Sequence, residues 1–314
     1  MNGRAAWALA FGALCVIWGS TWLAIKIGLE GAPPFLGASL RFVVSAPTLL
    51  AVALVLGRRL PRTRSEWSLA VFVGIVLFTA DYALIYWGED NGVESGLSAI
   101  LFATMPLQTA IAAHVLLPRE RLTVAKVAGI ALGFAGILLI FRGQLASVGV
   151  GKLAPMLAIV LSAACAAVST VAMKRWGHDA DPFTFNGVAM GVGAAGLAGV
   201  SLAAGEAWSV PSWPEGILAI LYLAFAGSVV AFVVYLRLLR STEATYMSFI
   251  ALIIPIVAVL LGVSLGDEPL DPLILGGAAL TLVGIYVSTR KSLPKGPPGD
   301  VPRPETAEDP PVAR

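Results

Sequence analysis

The sequence predicts an all-α membrane protein with ten transmembrane helices, arranged as two five-helix inverted-topology repeats. Three observations carry this expectation. The first is composition: 58% of the 314 residues are apolar and 13% are charged, with a mean hydropathy of +0.85. Soluble domains carry about 25% charged residues, so this chain lacks the charge to cover a water-facing surface. The second is that the apolar residues gather in ten runs, most of them close to the ~20 residues that a helix needs to cross a bilayer. They do not alternate polar with apolar, as the strands of a membrane barrel do. The third is that the chain contains one plan twice. From Glu94 to Phe141 an apolar run broken by Pro106 is followed by a charged turn, Arg119-Glu120-Arg121, and a Gly-rich run. From Glu243 to Val287 the plan returns with Pro255, the turn Asp267-Glu268 and a second Gly-rich run. A shift of 149 residues carries Tyr86 onto Tyr235, Glu94 onto Glu243 and Pro106 onto Pro255. A shift of 148 carries Glu120 onto Glu268, Gly129 onto Gly277 and Gly136 onto Gly284. Matched Pro, Glu and Gly in one order point to a duplicated unit of about 150 residues.

Taken in order, Arg4 precedes the first run, Ala5–Ile25. That run is too long for the apolar core of a signal peptide and reads as a retained helix. Nine runs follow: Phe35–Leu56, Trp67–Trp87, Gly96–Leu117, Val124–Phe141, Leu153–Met173, Phe183–Ala204, Gly216–Leu236, Ala244–Leu265 and Leu273–Thr289. In lipid every backbone N–H and C=O must find a partner within its own segment, so these runs are expected to be helices. Residues 5–141 and 153–289 are the two expected repeats. Residues 290–314 hold seven prolines and no apolar run, the composition of a disordered tail.

Orientation follows from the basic residues near the helix ends. With the N-terminus in the cytoplasm, seventeen Lys and Arg fall on the inner side and three on the outer, while Arg41 lies inside a span. Both termini are therefore expected in the cytoplasm. Five helices per half is an odd number, so the second half enters the membrane from the opposite side. Such inverted repeats are common in secondary transporters, with the substrate site near the midplane between the halves.

The net charge of +2 gives no reason to expect nucleic acid. Cys15 and Cys165 lie inside apolar runs and read as small core residues rather than a disulfide framework. His114 and His178 have no Cys or carboxylate at ligand spacing, so no metal site is expected. There is no Walker motif, Gly-rich strand–helix turn or nucleophile–base pair. No cofactor is expected, and an enzyme is not.

The segments LLPRERLTVAKVAGIALGFAGILL and GVSLGDEPLDPLILGGAALTLVGIY, with Ile17-Trp18-Gly19-Ser20-Thr21 and Arg41-Phe42, resemble the EamA-type branch of the drug/metabolite transporter superfamily. The resemblance covers roughly residues 5–290. The sixth run departs from it, offering Val168-Ser169-Thr170 without a Trp-Gly pair. The resemblance implies a carrier that exports amino acids, other metabolites or drugs. It also implies a central cavity lined by helices one, three, four, six, eight and nine.

Within the spans, Arg41 and Asp81 each lie roughly 9 Å below the outer end of consecutive helices, at 1.5 Å per residue. An isolated charge at mid-membrane costs at least ~2.5–3.5 kcal/mol. The expectation is that the two pair, and that Asp81 exchanges Arg41 for a proton or an amine substrate. A permanent ion pair, or Arg41 reaching outward to headgroups, is the plainer alternative. Pro106 and Pro255 each remove a backbone donor and free a carbonyl about four residues earlier, which reads as a hinge or as a packing kink. Thr104 and Gln108, one helical turn apart, are expected to face the cavity. Trp18, Ser20, Thr21, Ser169, Thr170, Tyr82 and Tyr222 complete the candidate substrate contacts, although Ser and Thr in a span more often bond their own helix. Tyr86 is a further candidate hydroxyl, with a place in the interface belt beside Trp87 as the alternative reading. Glu120 and Glu268 are expected to favour the dipoles of the helices that they begin.

The expected function is export of a small metabolite by a secondary transporter in the bacterial inner membrane, by alternating access and with proton coupling as an option. A lipid-linked sugar or phospholipid flippase on the same architecture is the alternative; a receptor or intramembrane enzyme is the alternative of another class. The expected partners are a small-molecule substrate and the lipid bilayer, and a homodimer is left open.

Overall fold

A computed structural model describes residues 3–118, 120–140, 142, 153–208, 214–265 and 272–289. The turn at Asp267-Glu268 and the tail from 290 to 314 lie outside the described residues. Every regular element among the described residues is a helix. In chain order they are α1 (Gly3–Leu29), α2 (Pro34–Val55), α3 (Arg64–Asp90), α4 (Ser95–Leu116), α5 (Val124–Ile140), α6 (Leu153–Trp176), α7 (Pro182–Ala203), α8 (Pro214–Ser241), α9 (Ala244–Ser248 and Ile250–Leu265) and α10 (Pro272–Thr289). Seven of them (α1–α4 and α6–α8) are long and apolar enough to cross a membrane; α5, α9 and α10 count as shorter apolar helices.

The ends of the helices are written locally. Thr63 and Glu66 form a reciprocal capping box at the start of α3: the Thr63 hydroxyl accepts from the Glu66 N–H, and the Glu66 carboxylate accepts from the Thr63 N–H. Asp181 caps α7 by accepting from the N–H groups of Phe183 and Thr184, and Pro182 takes the first helical position. Gly57, Gly92 and Gly205 end α2, α3 and α7 with φ of 60°, 83° and 71°. Each closes the last turn with a pair of backbone bonds, as in Gly205 N–H to Leu202 O and Glu206 N–H to Ser201 O. The last of these turns aims Glu206 at the start of α2, where its carboxylate accepts from the N–H groups of Phe35 and Leu36 at 3.0 and 2.9 Å. Gly205→Ala is expected to cost about 1–2 kcal/mol, the penalty of a Cβ in a left-handed conformation. A side chain there would meet only open space, so the cost is one of backbone alone. A lower thermal unfolding midpoint in detergent checks it.

Two helices are not regular. Gly74–Asp81 within α3 and Phe225–Val230 within α8 are π-helical. A shift of 149 residues superposes their last residues, Asp81 and Val230. At matched positions a hydroxyl reaches back five residues to a carbonyl: Thr79 to Gly74 O at 3.0 Å, and Ser228 to Leu223 O at 2.9 Å.

Pro106 is the second residue of the lower part of α4, below a break at Ala103–Thr104. Pro255 instead sits inside a continuous helical segment, and α9 is interrupted at Phe249, six residues before it. The two prolines therefore do not make equivalent hinges. The lost donor is a local effect, and where a helix breaks depends on the neighbours that accept its freed groups.

Helices α5 and α10 pack on each other through glycine. A Cβ at Gly136 would lie 2.5 Å from Gly277 O, and one at Gly284 would lie 2.5 Å from Gly129 O. The Thr281 hydroxyl seals the seam by donating to the Gly133 and Gly277 carbonyls. The glycines of α7 serve other neighbours: Gly187 admits Leu50 of α2, and Gly193 and Gly196 admit Phe78 and Thr79 of the first π segment.

Candidate functional site: a chamber around Asp81 and Arg41

A cavity with about 750 Å³ of atom-free space, counted out to its opening, lies among α1, α2, α3, α4, α6, α8 and α9. Both repeated stretches of the chain line it. Its wall is mostly apolar, with the aromatic residues Trp18, Trp22, Tyr82, Phe102, Phe232 and Tyr235 and the sulfur-bearing Met105, Met173 and Met247 set among aliphatic side chains. The polar groups are few: Thr21, Arg41, Asp81, Thr170 and Ser248. A small number of polar groups in an apolar, concave wall is the usual form of a small-molecule site.

Arg41 is 1% exposed and is held by the second π segment. In a regular α-helix the Ala231 N–H would bond the Gly227 carbonyl; here it turns to Ala226 O and Ser228 O. The freed Gly227 carbonyl accepts from the Arg41 Nη2 at 3.0 Å and from the Trp18 indole N–H at 3.2 Å. The Arg41 Nε donates to the Ser228 hydroxyl at 2.7 Å. The guanidinium also lies 4.8 Å from the Tyr82 ring centroid, a favourable position for a cation. Gly227 has to be glycine, since a Cβ there would meet Thr21 Cγ2 at 2.9 Å and Arg41 Nη2 at 3.0 Å. The π segment thus converts a backbone carbonyl into part of the site.

Asp81 ends the first π segment and is 3% exposed. Its Oδ1 has no hydrogen-bond partner, and Ser162 of α6 supplies the hydroxyl that faces the carboxyl. The expected ion pair with Arg41 is not formed: among the described residues no ion pair within 4.0 Å includes either side chain. The reason is the bulge in α8, which offers Arg41 neutral acceptors and leaves the acid unclaimed.

The structure brings together six of the expected contacts: Trp18, Thr21, Arg41, Asp81, Tyr82 and Thr170. The Thr170 hydroxyl bonds the Tyr235 hydroxyl at 2.8 Å, and the Trp18 ring packs against Phe232 and Tyr235. The others lie elsewhere. Ser20 bonds its own helix and the Tyr222 hydroxyl, and neither lines the chamber. Tyr222 is 38% exposed on the outer face of α8. Thr104 and Gln108 bond each other, and Gln108 also donates to Val160 O of α6. Ser169 is fully buried beside the lining residue Thr170. Tyr86 is 2% exposed, so it is a buried residue and not an interface one. Apolar lining residues such as Trp22, Phe232 and Met247 had no signal in a sequence already 58% apolar. The matched hydroxyls Thr79 and Ser228 are the signal that could have found the π segments.

A second polar cluster joins the two stretches at one end of the bundle. Glu120 does not serve its own helix. Its carboxylate accepts from the N–H groups of Ala244 and Thr245 at the start of α9, at 2.9 and 3.4 Å. Lys126 of α5 pairs with Glu243 at 2.8 Å. Burial pushes Glu120 above the ordinary carboxylate value of 4.5, an effect that its two backbone donors oppose and that Glu243 reinforces. A carboxyl raised on folding stabilises the folded state in its protonated form, and that contribution is lost as pH rises through the raised value. Thermal stability in detergent is therefore expected to increase as pH falls from neutral towards 4.5. Glu120→Gln should flatten that part of the profile; an unchanged slope would count against the assignment.

The comparisons agree with the geometry. The model of the EamA-like transporter family matches residues 5–142 and 153–290. An uncharacterized inner membrane transporter of Escherichia coli K12, YedA, is 33% identical over 261 residues, covering 82% of each chain. Protein PagO of Salmonella typhimurium is 29% identical over 264 residues, covering 80% of this chain and 82% of its own. A solved crystal structure superposes with a TM-score of 0.75 over 91% of this chain and 98% of the other, at 20% identity, which speaks to the fold alone. With two matched segments, apolar helices of spanning length and transporters as its relatives, this multi-pass membrane protein belongs to the EamA-like transporter family.

Proposed function

We propose that the chain is a secondary carrier that exports a small metabolite bearing an amino group by alternating access, with the chamber around Asp81 as its substrate site. The observation that carries this reading is the Asp81 carboxylate: buried, with an unpartnered oxygen, and ringed by aromatic side chains. A buried acid without a counter-charge is costly, and a protonated amine or a proton supplies that charge. The aromatic wall adds the negative ring faces that attract cations. Ten membrane-crossing helices in two oppositely oriented halves, 5–141 and 153–289, with both termini cytoplasmic, complete the proposal. It is supported by the crossed contacts of Gly129 with Gly284 and Gly136 with Gly277. A shift of 148 exchanges the members of these two pairs, as a twofold relation between antiparallel helices does.

Counterflow in sealed phosphatidylethanolamine–phosphatidylglycerol vesicles tests the proposal, using radiolabelled amino acids and aromatic amines. Accumulation of a labelled amine against unlabelled amine supports it. Movement of labelled lipid between leaflets, with no counterflow of any amine, would overturn it in favour of a flippase.

A further inference from the structure

We propose that Glu89 is a proton-exchange site of its own, set between the chamber and the end of the bundle that carries Lys26. Apart from Asp81, which faces the chamber, the other acids described above have structural work. Glu66 and Asp181 cap the helices that they begin. Glu120 and Glu206 each accept two N–H groups at the start of a distant helix, and Glu243 pairs with Lys126. Glu89 has no such work: both carboxyl oxygens are buried and neither has a hydrogen-bond partner. Nature has alternatives to an acid at a place that only needs filling, because a desolvated, unpaired carboxylate costs several kcal/mol and takes up a proton instead.

The surroundings suit reversible protonation. On α4, the Ser98 hydroxyl faces the carboxyl and its Oγ is likewise buried without a partner. From α1, Lys26 is the charged group set against it, exposed and not within ion-pair distance. From α6, Pro155 and Ile159 close on Gly88 and bring no charge. On its own helix, Tyr86 lies between Glu89 and Arg41, with a buried and unpartnered hydroxyl. The neighbouring Asp90 is exposed and faces Glu206 instead. Asp81, Ile85 and Glu89 are spaced four residues apart on one face of α3, which places the two carboxyls roughly 12 Å apart along the axis.

Two carboxyls on one helix thus divide the work. Asp81 faces the aromatic chamber and its cargo, and Glu89 binds and releases a proton nearer the end of the helix. The second stretch offers neither, since a shift of 149 places Val230 and Leu238 at these positions. How a proton at Glu89 is used rests on the carrier reading, but its binding there does not.

The test is pH-difference infrared spectroscopy of the full chain in phosphatidylethanolamine–phosphatidylglycerol vesicles, without substrate. Acidification is expected to raise a protonated-carboxyl band that Glu89→Gln removes and Glu89→Asp retains at a shifted frequency. In the wild type, a hydrophobic carbodiimide should modify Glu89 at low pH and not at high pH, read by peptide mass; this arm needs no variant to fold. A pH-difference spectrum that loses no protonated-carboxyl component in Glu89→Gln, or no pH-dependent adduct at Glu89, overturns the proposal. Asp81→Asn run in parallel separates the two readings: if Glu89 titrates and Asp81 variants still transport, the substrate site is wrong and this inference stands.

Discussion

Asp81→Asn is expected to insert and fold like the wild type and to lose about 10- to 100-fold of its transport of a protonated amine. The substitution keeps the size of the side chain and removes its charge. A hydrogen bond to a charged group is worth about 1.5–3 kcal/mol, and each 1.4 kcal/mol is a factor of ten in affinity. Folding should be spared, because no ion pair to Arg41 is broken and Asp81 Oδ1 is already without a partner. An amide in place of a buried, unpaired acid removes a desolvation cost, so the unfolding midpoint should hold or rise. The two results together are diagnostic. A rate equal to wild type would remove Asp81 from the mechanism. A fall in stability as large as the fall in rate would make it a structural residue.

Arg41→Ala has the opposite profile: loss of stability first, with loss of function as its consequence. Arg41 is fully buried, donates to Ser228 Oγ and Gly227 O, and stands over the Tyr82 ring. Two charge-assisted hydrogen bonds are worth about 3–6 kcal/mol together. Their loss leaves the Gly227 carbonyl with Trp18 as its remaining partner. Most of the protein should then be lost from detergent extracts, or should unfold at a much lower temperature. Arg41→Lys should recover part of the stability, since an ammonium can reach one acceptor but cannot span two in a fixed fork. An unfolding midpoint unchanged in Arg41→Ala would show that the π segment of α8 holds without it.

The contrast between these two residues explains how far the sequence could be read. An acid and a base at one depth on neighbouring helices invited the reading of an ion pair. Depth along a helix follows from counting residues, but direction around it depends on what the neighbour presents. The neighbour that decided was α8, nearly two hundred residues further along the chain. Its bulge frees a carbonyl that no periodicity announces. The same limit applies to Glu120, matched in the repeat and placed at a helix entry, whose carboxylate serves a helix in the other stretch of the chain. It applies again to Gln108, which is polar and at a plausible depth but is spent on α6.

The sequence by itself determined that the chain is helical and apolar, roughly where its helices begin and end, and to which family it belongs. These follow from composition, from run length and from capping residues and glycines that act within a few positions of one another. The tertiary structure alone decided which polar groups face the chamber and which are consumed between helices. In a medium without water a buried polar group can be satisfied only by whatever lies opposite, and what lies opposite is fixed only when distant helices pack.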